Sequence, residues 1–103
     1  MEDNTLKSTS HGSVAFDVDG TLVDYHDKPR MDVLSLLTNF KRLGFKVIVW
    51  SGGGYDYAKT WVYKLGIAAF VDEIYDKHDL GRPVPDMCFD DERVSLADKN
   101  FMV

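Results

Sequence analysis

Val14-Ala15-Phe16-Asp17-Val18-Asp19-Gly20-Thr21 is an apolar run that closes on two carboxylates and a turn. A short apolar stretch with no polar alternation reads as a strand covered on both faces. Gly20-Thr21 breaks it. Acids at the end of a buried strand are poorly placed for stability alone, because carboxylates leave water reluctantly. In an open parallel sheet, however, the carboxyl ends of the strands are where ligands bind. Asp17 and Asp19 are therefore the first candidate site residues.

Working outward, Val33, Leu36, Leu37, Phe40 and Leu43 recur at helical spacing, with Asp32 near the start and Gly44 past the end. Lys46-Val47-Ile48-Val49-Trp50 is a second apolar strand, followed by Ser51-Gly52-Gly53-Gly54. A second helix is expected from about Tyr55 to Leu65, stopped by Gly66. Phe70 to Ile74 reads as a third strand and Asp86-Met87-Cys88-Phe89 as a fourth. Residues 94–96 or 101–103 would add a short edge strand. Strands alternating with helices predict an α/β domain: a parallel sheet of four to five strands with right-handed crossovers and flanking helices. Parallel strands share one carboxyl edge, so Asp17 with Asp19, Ser51 with its glycines, and Asp90 with Asp91 are expected to converge there.

The 103 residues suit one domain over 13–103, preceded by a polar N-terminal segment, 1–12, expected to be flexible. A hydrophobic fraction of 45% is ample for a core. The net charge of −5 argues against non-specific nucleic-acid binding, which needs a broad basic surface. Cys88 is the single cysteine and reads as buried and inert; a reducing cytoplasm fits. No apolar run reaches transmembrane length. A small core with many aromatic residues favours a homo-oligomer. His26 and His78 read as surface residues, and Tyr57 and Trp61 as packing.

Four gathered carboxylates would repel one another without a cation, and hard oxygen ligands suit Mg²⁺. A hydroxyl and backbone N–H groups at Ser51 to Gly53, opening a helix, make an anion site. A metal, an anion site and a strand-end carboxylate together fit phosphoryl transfer. Asp17 is placed to attack phosphorus, and Asp19 to move the proton.

At these residues the chain resembles a known family. Asp17-Val18-Asp19-Gly20-Thr21-Leu22-Val23 is similar to the first motif of the haloacid dehalogenase superfamily of phosphatases. Ser51 after its strand resembles the second motif, and Phe89-Asp90-Asp91 the last. The resemblance implies a three-layer Rossmann-like fold and Mg²⁺-dependent hydrolysis of phosphomonoesters. It makes Asp17 the nucleophile and Asp19 the general acid/base, which also gives a main-chain carbonyl to the metal. Asp90 becomes the inner-sphere metal ligand and Asp91 the water-mediated one. Gly20, Thr21, Ser51 and Gly52 are the expected phosphate-binding positions. The motif lysine is replaced: small capless relatives carry a pattern like Lys-Pro-x-x-Asp-x-x-x-Asp-Asp, and here Arg82-Pro83 begins it. Either Arg82 or Lys77 is expected to balance the phosphate charge.

Neither insertion point leaves room for a cap domain, so the site should be open beside a flap over 24–30, with Asp24 among its acids. An open site implies a phosphorylated substrate that is macromolecular or a sugar phosphate. Two other readings stand beside this one: a weak or inactive module that binds Mg²⁺ or phosphate, and a nucleic-acid 3′-phosphatase, which the acidic balance disfavours. A phospho-accepting receiver ranks lower, because a Ser-Gly-Gly-Gly segment follows the second strand.

Overall fold

Strand β1 (Ser13–Asp17) is the centre of the molecule, as its apolar sequence demands. The structure, a computed structural model, describes residues 12–103. The reading of 1–12 as a flexible segment therefore lies, Gly12 apart, outside the described residues. After β1 come helix α1 (Met31–Arg42), strand β2 (Lys46–Ser51), helix α2 (Tyr55–Lys64) and strands β3 (Glu73–Asp76), β4 (Met87–Asp90) and β5 (Lys99–Met102). The sheet order is β3-β2-β1-β4-β5, and every pair is parallel. A five-stranded parallel α/β sheet thus stands as expected.

Three details differ from the sequence reading. The third strand begins at Glu73 and not Phe70, because Ala68–Phe70 form a 3₁₀ turn that brings the chain back from α2 to the sheet. Asp86 precedes β4: its carboxylate accepts the Ser13 N–H at 2.7 Å, tying the starts of β4 and β1 together. Of the two candidate edge strands, the later one forms, over Lys99–Met102, while Val94 and Leu96 pack on the sheet face.

The larger difference is in the layers. Val14, Phe16, Val47 and Val49 share one cluster with Val33, Leu34 and Leu37 of α1 and with Ala58, Trp61 and Val62 of α2. Both described helices therefore lie on the same face. Ala15, Ile48, Trp50 and Cys88 face the other way, packed by Tyr75, Val94, Leu96 and Ala97. Among the described residues the domain has a helical layer and a sheet with a loop cover, not three layers. The cause is topological. The chain steps β1→β2→β3 in one direction, and right-handed crossovers put both helices on one side. The return segment 77–86 contains Gly81, Pro83 and Pro85, which suppress a helix that would cover the opposite face.

The helical face is sealed by aromatic rings. Phe16 stacks on Phe89 at 5.2 Å, Phe89 on Phe101 at 5.1 Å, and Phe40 of α1 meets Phe16 edge-on at 6.3 Å. The segment after β1 holds no inserted domain. It closes as a short loop in which Val23 bridges Pro29 and the Asp24 carboxylate accepts the N–H groups of His26 and Lys28. Asp24 is thus a turn brace. No described helix is long and apolar enough to cross a membrane.

Candidate active site

From β1 the sheet grows one way through β2 and the other way through β4, which makes the carboxyl end of β1 the topological switch point. Asp17 occupies it and is only 6% exposed. Asp90 ends the neighbouring β4 and is 1% exposed. Lys77 follows β3 directly, and its N–H donates to the Ser51 carbonyl at 3.0 Å, which fixes where its side chain begins. Its Nζ lies 3.1 Å from Asp17 Oδ1 and 2.7 Å from Asp90 Oδ2. The second contact is an ion pair off the hydrogen-bond direction, so Asp90 Oδ2 lacks an aligned donor. Of the two cations that sequence left open, Lys77 is the one that reaches the acids.

Burial pushes the Asp17 carboxyl up to about 7, with the charges of Asp90 and Asp91 adding to the rise and Lys77 opposing it. Burial also works against the Lys77 ammonium, but its close contact with Asp90 and the Asp17 charge win, and its pKa is raised. The consequence for stability has a definite sign. An acid whose folded pKa is raised contributes stability that is present at low pH and lost as pH rises through the folded value. Without added cation, the protein is therefore expected to lose stability between about pH 4 and pH 7. Urea denaturation across that range should show the midpoint falling; a rising midpoint would contradict the Asp17 environment.

Asp17, Asp90 and Asp91 each offer a carboxylate oxygen, and those atoms lie within 4.8 Å of one another. Three hard oxygen donors, two of them buried and one with an unaligned oxygen, fit a small divalent cation. The Asp19 carboxyl stands outside this set; it accepts the Tyr57 hydroxyl at 2.7 Å. Tyr25, from the flap, donates its hydroxyl to Asp91, and this bond pushes the phenol up to about 12. Gly20, at φ +78°, lies under that pair; a Cβ there would meet the Tyr25 hydroxyl at 2.7 Å.

Ser51 is buried at the end of β2, and its Oγ accepts the Gly53 N–H at 3.0 Å. Gly52 is exposed beside it. His78 leans over Gly52, its Nε2 3.2 Å from where a Cβ would stand. The surface histidine of the sequence reading is thus at the mouth of the site. Two further expected phosphate positions are Thr21 and Arg82. Thr21 is wholly buried; its N–H donates to the Val18 carbonyl, while its Oγ1 has no hydrogen-bond partner. The Arg82 guanidinium donates to the carbonyls of Lys77 and Pro83, both at 2.9 Å, and lies 4.5 Å from the Trp50 ring. It braces Lys77 from behind. Arg82→Ala is expected to lower stability by about 2 kcal/mol through these lost contacts, read as a shift in the urea midpoint; an unchanged midpoint would show that the brace carries nothing.

Sequence reasoning missed Tyr57, Tyr25 and Arg30, whose Nη1 donates to the Gly20 carbonyl at 3.0 Å. None carries a motif signal; each is placed by tertiary structure. Cys88 is buried as expected, and burial pushes its thiol up to about 11, away from reactivity. A groove of 440 Å³ along α2 and β3 contains none of Asp17, Asp19, Asp90 and Asp91. A 370 Å³ groove opens beside Lys77, lined also by His78, Arg82 and Val84. Compared with known proteins, the chain matches no family model, no curated protein and no solved structure.

Proposed function

We propose that the chain is a Mg²⁺-dependent phosphomonoester hydrolase of the haloacid dehalogenase type that works through an aspartyl-phosphate on Asp17. The observation that carries this reading is a buried carboxylate at the switch point, paired with Lys77 and flanked by Asp90 and Asp91. Asp17 attacks phosphorus; its O–P bond forms as the ester P–O bond breaks, and Asp19 gives a proton to the leaving oxygen. Asp19 then takes a proton from water, which attacks phosphorus and breaks the Asp17 O–P bond to release phosphate. Lys77 holds Asp17 in place and offsets charge on the phosphoryl oxygens. Asp17, Asp90 and Asp91 would hold the cation, which supplies charge neutralisation when bound. Ser51 and the Gly52 backbone border the phosphoryl position.

The acids sit on an open edge beside a groove, which favours a phosphorylated macromolecule or a sugar phosphate presented from outside. A reducing cytoplasm suits the single buried thiol. One feature favours the second reading, a module that binds Mg²⁺ or phosphate without turnover: burial raises the Asp17 pKa and so works against the attacking carboxylate. The test is release of phosphate from an aryl phosphate, with Mg²⁺ and with a chelator. Release that stops with the chelator and returns with Mg²⁺ supports the hydrolase; Mg²⁺ binding without release supports the module.

A further inference from the structure

The sequence marks Tyr57 as a packing residue, yet its hydroxyl donates to Asp19. Tyr57 stands in the first turn of α2, beside Ala58, which is wholly buried against the sheet. Trp61 and Val62, one turn on, are also buried, so the helix is a fixed platform. The ring leans across the glycine loop at Gly53, where a Cβ would come within 3.0 Å of Tyr57 Cδ2. The missing side chain at Gly53 thus gives the ring its path from α2 to the end of β1. There Oη donates to Asp19 Oδ1 at 2.7 Å.

We propose that Tyr57 is a positioning residue for proton transfer: by holding Asp19 Oδ1 it fixes the carboxyl and leaves Oδ2 to exchange the proton with the leaving oxygen and then with water. The inference rests on the hydrolase reading above. Its basis is a hydrogen bond between a rigid helix and a loop acid that stands outside the three-carboxylate set. The phenol responds to this partner: the Asp19 bond is the main cause raising its pKa, while the Trp61 indole works in the opposite direction. Asp19 lies beyond the strand, where the sheet ladder no longer constrains it, and a carboxyl in a turn would otherwise sample several rotamers. Holding one oxygen removes that freedom before the substrate arrives.

The proton gift matters most when the leaving oxygen is a poor leaving group. A nitrophenolate departs unaided; an alkoxide does not. Tyr57→Phe removes the donor and keeps the ring, on a residue 37% exposed, so packing is retained. The test is kcat/KM for wild type and Tyr57→Phe, with Mg²⁺, over a series running from nitrophenyl through phenyl to alkyl phosphates. The expected result is a loss of about thirtyfold for the alkyl ester and about twofold for the nitrophenyl ester, a part of the roughly 10²–10⁴-fold that a general acid contributes. Rate would then depend more steeply on leaving-group acidity in the variant, with the melting temperature unchanged. Parallel losses across the series, or none, overturn the role of Tyr57 and leave the hydrolase reading standing. No turnover of any ester by the wild-type protein overturns the hydrolase reading and this inference with it.

Discussion

Asp17→Asn is expected to lower the turnover of phosphomonoesters by about 10⁴-fold or more, because the amide cannot supply the attacking oxygen and no neighbouring residue replaces it at the strand end. The fold should survive the change. Asparagine keeps the size of the side chain, and Lys77 keeps its contact with Asp90. The substitution also removes a carboxyl that burial holds near pH 7, so stability above that pH should stay level or rise. Steady-state kinetics beside a urea titration would separate the two effects. A variant that kept a tenth of the activity would mean that Asp17 is not the nucleophile; one that lost both activity and fold would mean that the carboxylate is chiefly structural.

Lys77→Met is expected to destabilise the protein by about 3 kcal/mol at pH 8, the usual consequence of leaving buried charges without their partner. Methionine retains an apolar stem, so the loss reports the ammonium and not a cavity. Asp17 and Asp90 would then face each other, with Asp91 nearby and no cation between them. Asp17 would lose the ammonium that opposes the rise of its pKa, so its contribution is present at low pH and lost as pH rises. Most of that loss should therefore be recovered on acidification to about pH 5. Saturating Mg²⁺ at pH 8 should restore stability, since a ligand that binds only the folded state shifts the equilibrium toward it. For a domain of this size about 3 kcal/mol is a large share of the total. Equal stability of Lys77→Met and wild type at pH 8 would show that the ion pairs are incidental.

The sheet was legible because its central strands carry no polar alternation: Val14 to Phe16 and Val47 to Trp50 have one credible placement. The convergence of Asp17, Ser51 and Asp90 followed from parallel topology alone. The choice between Lys77 and Arg82 did not, because it depends on register. Ser51 pairs with Asp76, so the residue after Asp76 is the one delivered to the acids. Arg82, five residues on, is turned back against the Lys77 carbonyl and the Trp50 ring. The helix layers were misjudged because alternation predicts crossovers but not their side; the prolines at 83 and 85 held the information that no helix follows β3. Tyr57 was illegible for a different reason. A tyrosine in a first helical turn reads as packing, and only the path opened by Gly53 brings its hydroxyl to Asp19. Thr21 shows the converse: a motif position whose side chain the fold consumes in its own core.

The most direct test of the central claim is to catch the phosphoryl group on Asp17. The protein would be acid-quenched during turnover of an aryl phosphate with Mg²⁺, reduced with borohydride, digested and mapped by mass spectrometry; borohydride converts an aspartyl-phosphate to homoserine and leaves a free carboxylate untouched. Homoserine at position 17, absent without substrate, is the expected result. Measured turnover with every aspartate unmodified, or with the label at another residue, would contradict it.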